Sequence, residues 1–126
     1  MAQAAVDMHE RAQPEALEMA VLDRDHLARM TFGDRGLERE VLQLFDRQSE
    51  LLLDRMRTSE PAAIATLAHT LKGSAVGIGA ARVARAAAEA ELVAQAKPGE
   101  SSRAIAELAQ AVEEARAEIS ALIRAH

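Results

Sequence analysis

Apolar residues recur three, four and seven positions apart along four long stretches of this chain, and each stretch is bounded by residues that stop helices. In "DRGLEREVLQLFDRQSELLLDRMRTSEP", Leu37, Val41, Leu44, Phe45, Leu52 and Met56 keep that spacing. The pattern predicts an amphipathic helix with Asp34 as its N-cap. Ser59 is expected to cap the next helix, with Pro61 in its first turn, where a missing N–H costs little. That helix should run to about Val76, and "GIG" at 77–79 should make a tight reversal. A further helix is expected from about Ala80 to Ala96, with Val83, Ala87, Ala90 and Ala94 in one stripe, broken by "KPGESS". The last begins near Ser101 or Ser102. Its apolar residues Ile105, Leu108, Val112, Ala115, Ile119 and Leu122 alternate three and four apart, like a coiled-coil seam.

Ahead of these lies a short helix, expected from Leu22 to about Thr31, opened by Asp23 or Asp25 and closed by Gly33. Residues 1–21 are polar and alanine-rich around Pro14, and read as a loose tail or a short peripheral helix. Short links between long amphipathic helices imply antiparallel neighbours. The expected fold is therefore all-α: an antiparallel up-down-up-down four-helix bundle over residues 22–126, with a short extra N-terminal helix. A tetratricopeptide-like array is the alternative, but no internal repeat of its period is present.

Composition narrows the function classes. The 126 residues are 49% hydrophobic, drawn mostly from Ala, Leu, Val and Ile, which suits helices in one domain with one core. A net charge of −5 and only two aromatic residues, both Phe, leave neither an electrostatic footprint nor a stacking platform for nucleic acid. With no cysteine, disulfides, thiolate nucleophiles and zinc–sulfur sites are all excluded. The opening "MAQAAVDMHERAQPEALEMA" lacks a basic region and an apolar run, so it does not read as a signal peptide. No stretch approaches the roughly 18 apolar residues of a membrane span. A cytoplasmic location is the expectation.

Chemistry concentrates in "LAHTLKGSAVGIGA", residues 67–80. At about 100° per residue, Ile64, Leu67, Leu71, Ala75 and Ile78 share one side of the helix. His69 falls nearly opposite, with Ala65, Thr66, Lys72, Gly73 and Val76 on its side. That placement argues against a core histidine. An ordinary solvated histidine remains the competing reading, and the neighbours weigh against it. Glycine in an exposed helix costs about 1 kcal/mol relative to alanine. In a chain that uses alanine so freely, Gly73 needs a reason, and clearance for another protein's surface supplies one. Lys72, three residues on, can act as a point charge for a phosphate. A neutral imidazole is a competent nucleophile near pH 7 if one ring nitrogen is free and the other is held by an acceptor. Antiparallel pairing brings the next helix alongside, so Glu91, at the edge of its inner stripe, is the expected orienter of the ring. Its competing reading is a plain solvated carboxylate.

These residues resemble the signature of histidine-containing phosphotransfer (HPt) domains, the relay modules of multistep two-component signalling. The resemblance rests on His69, Thr70, Leu71, Lys72, Gly73 and Ser74, then Gly79 and Ala80. It is extended upstream by Glu40, Leu44 and Phe45 and downstream by "AEAE" ending at Glu91. It spans residues 22–125, and the alanines at 86–88 depart from the larger residues usual there. It implies that His69 accepts a phosphoryl group on its outward nitrogen, that Lys72 neutralises it, that Gly73 lets a receiver domain dock, and that Glu91 orients the ring. The expected docking patch is Ala65, Thr66 and Val76, with Arg82 and Arg85 as a rim. For those arginines and Glu89, a salt-bridged solvated face is the stronger reading.

Phosphoryl transfer needs in-line positioning and charge stabilisation. The chain offers the nucleophile and one cation. It has no carboxylate cluster for Mg²⁺ and no glycine-rich loop for ATP. The expectation is a carrier without a cofactor or metal of its own, exchanging phosphate with a response-regulator receiver domain that supplies Mg²⁺, in a relay fed by a hybrid histidine kinase. The alternative is an unphosphorylated adaptor that docks a receiver or kinase and inhibits it. A monomer is expected, because the seam of the last helix is needed for the internal core. His9, His26 and His126 read as tail, surface and terminus.

Overall fold

The computed structural model describes residues 20–125, and among them every regular element is helical. Helix α1 spans Arg24–Met30, α2 Arg35–Arg57, α3 Pro61–Ile78, α4 Ala81–Ala96 and α5 Ser101–Ala125, with a 3₁₀ turn at Pro98–Glu100 before α5. Helices α2 to α5 form the bundle, each antiparallel to the next. Side-chain ties fix the register: Gln48 to Ser74 between α2 and α3, His69 to Glu91 between α3 and α4, Arg82 to Glu114 between α4 and α5, and Asp46 to Arg116 closing α2 on α5. Residues 1–19, most of the expected tail, lie outside the described residues. Val21 packs against the core, and Leu22 is buried in it.

Local chemistry sets the ends. Asp23, not Asp25, caps α1 by accepting the His26 N–H at 3.0 Å. The helix stops at Met30, where the buried Thr31 hydroxyl donates back to the Leu27 carbonyl at 2.8 Å. Phe32 and Gly33 then turn the chain through positive φ, 55° and 71°. Asp34 caps α2 through the Leu37 N–H at 3.0 Å. Ser59 does not cap α3: its hydroxyl donates to the Arg55 carbonyl at 2.6 Å and so finishes α2, leaving Glu60 at the N-cap without a side-chain bond. Pro61 opens α3 as expected.

Helix α3 also runs two residues further than the sequence suggests. Gly77 and Ile78 are helical, and the reversal is confined to Gly79 at φ 78°. There the Gly79 N–H reaches the Val76 carbonyl and the Ala80 N–H the Ala75 carbonyl, the pairing of a Schellman end. A Cβ on Gly79 would meet Asp23 at 3.0 Å, and the Asp23 N–H donates to the Gly79 carbonyl. The entry to α1 is thus packed directly on the end of α3.

The core is built as the apolar stripes predict, with two exceptions. Leu42, Phe45, Leu52, Leu53 and Met56 of α2 meet Ile64, Ala68, Leu71 and Ala75 of α3, Val83, Ala87, Ala90 and Ala94 of α4, and the α5 seam from Ile105 to Leu122. Leu37 and Leu44 keep the spacing but stand exposed, at 37% and 55%. Leu42 and Leu53 carry the core face instead. The alanines of α4 set how near it lies to α3. With Ala68 and Ala75 facing Ala87, Ala90 and Ala94, all buried, little side-chain bulk separates the two helices.

Candidate functional site

His69 lies midway along α3, on the face turned from the core, with its side chain 67% exposed. Close packing of α3 on α4 brings Glu91 within reach. Its two carboxylate oxygens lie 3.2 and 3.3 Å from His69 Nδ1, and its own side chain is only 22% exposed. A carboxylate can only accept, so the geometry assigns the proton to Nδ1 and leaves the Nε2 lone pair outward. No described residue bonds Nε2. The ring borders a shallow hollow of about 490 Å³ between α3 and α4, lined by Ala62, Ala65, Thr66, Thr70, Glu91 and Gln95.

Lys72 sits one helical turn on from His69, half-buried, and makes no ion pair with a described residue. Gly73 is exposed, and a Cβ built on it meets nothing within 4 Å. The fold itself would therefore admit an alanine there, so no internal contact explains the glycine. Val76, a turn further, is 57% exposed. Thr66 is exposed too, its hydroxyl turned back to the Ala62 carbonyl at 3.2 Å.

Two residues of the expected docking patch are placed otherwise. Ala65 is buried at 7%, because α4 closes over that flank of α3, and it contributes only to the floor of the hollow. Arg82 pairs with Glu114 of α5 at 3.4 Å, which ties it to the far side of α4. Arg85 is exposed. Sequence reasoning missed Gln95, which lines the hollow one turn from Glu91 and could have been found at i+4 from it. It also missed the exposed Leu44 and Leu51 on α2, which flank the Gln48–Ser74 tie to α3. Their heptad spacing looks like core and gave no sign of exposure. His26 is not a free surface residue either. Its ring is half-buried and its Nε2 lies 3.2 Å from the Gly77 carbonyl, an acceptor left over at the end of α3.

Among the described residues, no group of three or more His, Asp or Glu side chains is arranged to hold a metal ion. No described helix is long and apolar enough to cross a membrane.

Fold and site together are an all-helical bundle that presents one imidazole outward from a single carboxylate. The family model for the Hpt domain matches residues 38–123, more than half of the chain, and this chain belongs to that family. Hpt domains are phosphotransfer carriers rather than enzymes in the usual sense, and they work with receiver domains and histidine kinases in phosphorelays. Among solved structures, the chain is similar to that of a rice protein described as a histidine-containing phosphotransfer protein. The TM-score is 0.76 at 17% identity, covering 98% of this chain and 95% of that one. That likeness bears on the fold. A comparison with curated proteins finds no match.

Proposed function

We propose that His69 is the phosphoacceptor, and that the chain carries phosphate between the aspartate of a receiver domain and its own Nε2. One observation carries the reading. His69 is the ring whose Nδ1 is held by a carboxylate and whose Nε2 meets no described residue. In the transfer, the Nε2 lone pair attacks the phosphorus of the aspartyl phosphate. An N–P bond forms, the O–P bond breaks, and the electron pair leaves with the aspartate. Lys72 steadies the charge on the phosphoryl oxygens.

Gly73 removes bulk where the partner must come closest. Thr66 and Val76 continue that face, and the exposed Leu44 and Leu51 extend it over α2. Arg85 lies at its rim, whereas Ala65 and Arg82 are left out of it. Mg²⁺ and the acidic residues that hold it come from the receiver. The chain itself has no ATP-binding loop and does not phosphorylate itself. We place it in the cytoplasm as a monomer, with the α5 seam spent on its own core.

The test is transfer from a phosphorylated receiver domain. The chain should gain an acid-labile, base-stable phosphate, and His69→Gln should lose it while keeping its helical content. Labelling of His69→Gln would refute the assignment. Unchanged affinity and signalling output in that variant would favour the adaptor instead.

A further inference from the structure

Where α2 ends and both α3 and α5 begin, the bundle carries a second pocket, of about 520 Å³. It shares no residue with the hollow beside His69. Buried Met56, Ile64 and Ile105 are the large apolar residues of its lining, and Arg57, Ser59, Ser101 and Ser102 are the polar ones. Size and make-up are those of a small-molecule site, in which a few polar groups orient a ligand held by apolar walls.

Ser101 is the residue that asks for a partner. It is the first residue of α5, it is only 7% exposed, and no described group hydrogen-bonds its buried Oγ. A serine at a helix start ordinarily accepts a backbone N–H from the first turn, and this one does not. An unpaired buried hydroxyl destabilises a fold, and alanine in its place avoids that loss. This chain packs alanine wherever a small residue is needed, so nothing inside the fold accounts for the hydroxyl. Ser101 lines the pocket, and from there a partner can reach it.

Electrostatics choose the partner. Arg57 is the one charged residue in the lining, and no carboxylate stands with it there. Its pair with Asp54 at 2.9 Å uses one N–H of a guanidinium that has five, and the side chain is half exposed. The starts of α3 and α5, at Pro61 and Ser101, bring two positive helix ends to the same pocket. The Glu60 side chain leaves the first of them uncapped. In a chain of net charge −5, donors and positive ends thus converge beside apolar side chains.

We propose that this pocket binds an amphipathic carboxylate. Its anionic head accepts from the Ser101 hydroxyl and Arg57, and its aliphatic body lies against Met56, Ile64 and Ile105. The inference goes beyond phosphate transfer and does not depend on the role of His69.

Octanoate is the probe, titrated into the ¹⁵N-labelled full chain and followed by two-dimensional NMR. Amide shifts should saturate with a Kd on the order of 1 mM or below, and should centre on Arg57, Ile64, Ser101, Ser102 and Ile105. Acetate, which has the head alone, and 1-octanol, which has the chain alone, should each bind about tenfold more weakly or not at all. Ser101→Ala should melt no lower than the wild type yet bind octanoate about tenfold more weakly. Arg57→Gln should weaken it severalfold. Both variants should take phosphate from phosphoramidate, a small donor that needs no docking partner, as the wild type does.

Shifts that fail to saturate, or that centre elsewhere, would overturn the site. Equal binding of 1-octanol and octanoate would overturn the assignment of an anion. Undiminished binding to Ser101→Ala would overturn the part given to the hydroxyl, and the inference with it. Loss of phosphoramidate labelling in the variants would show the bundle disturbed as a whole, and would overturn the claim of a separate site.

Discussion

Two histidines 43 positions apart in the chain both approach α3, and their surroundings differ in one respect that decides their chemistry. His26 spends Nε2 on the Gly77 carbonyl, in a half-buried seat where α1 meets the end of α3. His69 spends Nδ1 on Glu91 and keeps Nε2 toward solvent. The first ring closes a helix end; the second stands ready as a nucleophile. The two side chains are chemically the same, so the reactivity lies in which nitrogen is occupied and by what.

The largest test of that contrast is His69→Gln beside His26→Gln. The first should abolish phosphohistidine formation, read by ³¹P NMR after phosphoramidate or receiver treatment. The second should retain it, because the His26 ring is half-buried against the end of α3 with its Nε2 on the Gly77 carbonyl. Labelling that followed His26 would break the comparison outright.

Access can be removed without touching either ring. Gly73→Leu starts from open space, since nothing lies within 4 Å of a Cβ built there on the exposed face of α3, and it raises a side chain beside His69. Transfer from a phosphorylated receiver should fall about a hundredfold, the scale expected when reacting groups are held an ångström or so out of line. Labelling by phosphoramidate should hold near the wild-type rate. Equal loss with both donors would mean that Gly73 serves the ring itself and not the partner.

The His26 end should respond in stability instead. Gly79→Ala puts a Cβ on a residue at φ 78° and within 3.0 Å of Asp23. A cost of about 1–2 kcal/mol is expected in chemical denaturation, with the labelling of His69 intact. The smallest effect belongs to the opposite side of the bundle, where Arg116 meets Asp46 at 2.6 Å and Glu50 at 3.0 Å. The hydrogen bond to Asp46 holds the Arg116 guanidinium above its ordinary pKa. Both partners are partly solvated, so Arg116→Ala should cost less than about 1 kcal/mol in the same denaturation experiment. It should leave transfer unchanged.

The bundle was legible in the chain because its signals are local. Helix periodicity, the Asp34 cap, Pro61 and the Pro98–Gly99 break act over one or two turns, and each is met where the spacing places it. The outward side for His69 came from the same periodicity. Errors arose where two local rules compete for one residue. Ser59 could cap α3 or finish α2, and the nearer Arg55 carbonyl takes its hydroxyl. Gly77 and Gly79 both permit a reversal, and only Gly79 sits where Asp23 accepts the turn.

What the sequence determined by itself was therefore the set of helices, their order, and the side of α3 that carries His69, since these depend on neighbours three or four residues away. The tertiary structure alone decided which stripe leucines are core, since Leu44 and Leu42 differ only in what the other helices cover. It decided as well that Ala65 is closed over, that Arg82 is bound to α5, that His26 is occupied, and that Glu91 touches Nδ1. Each of these depends on how closely two helices approach and in what register, and that is fixed by the packing of alanines and leucines spread over the whole chain.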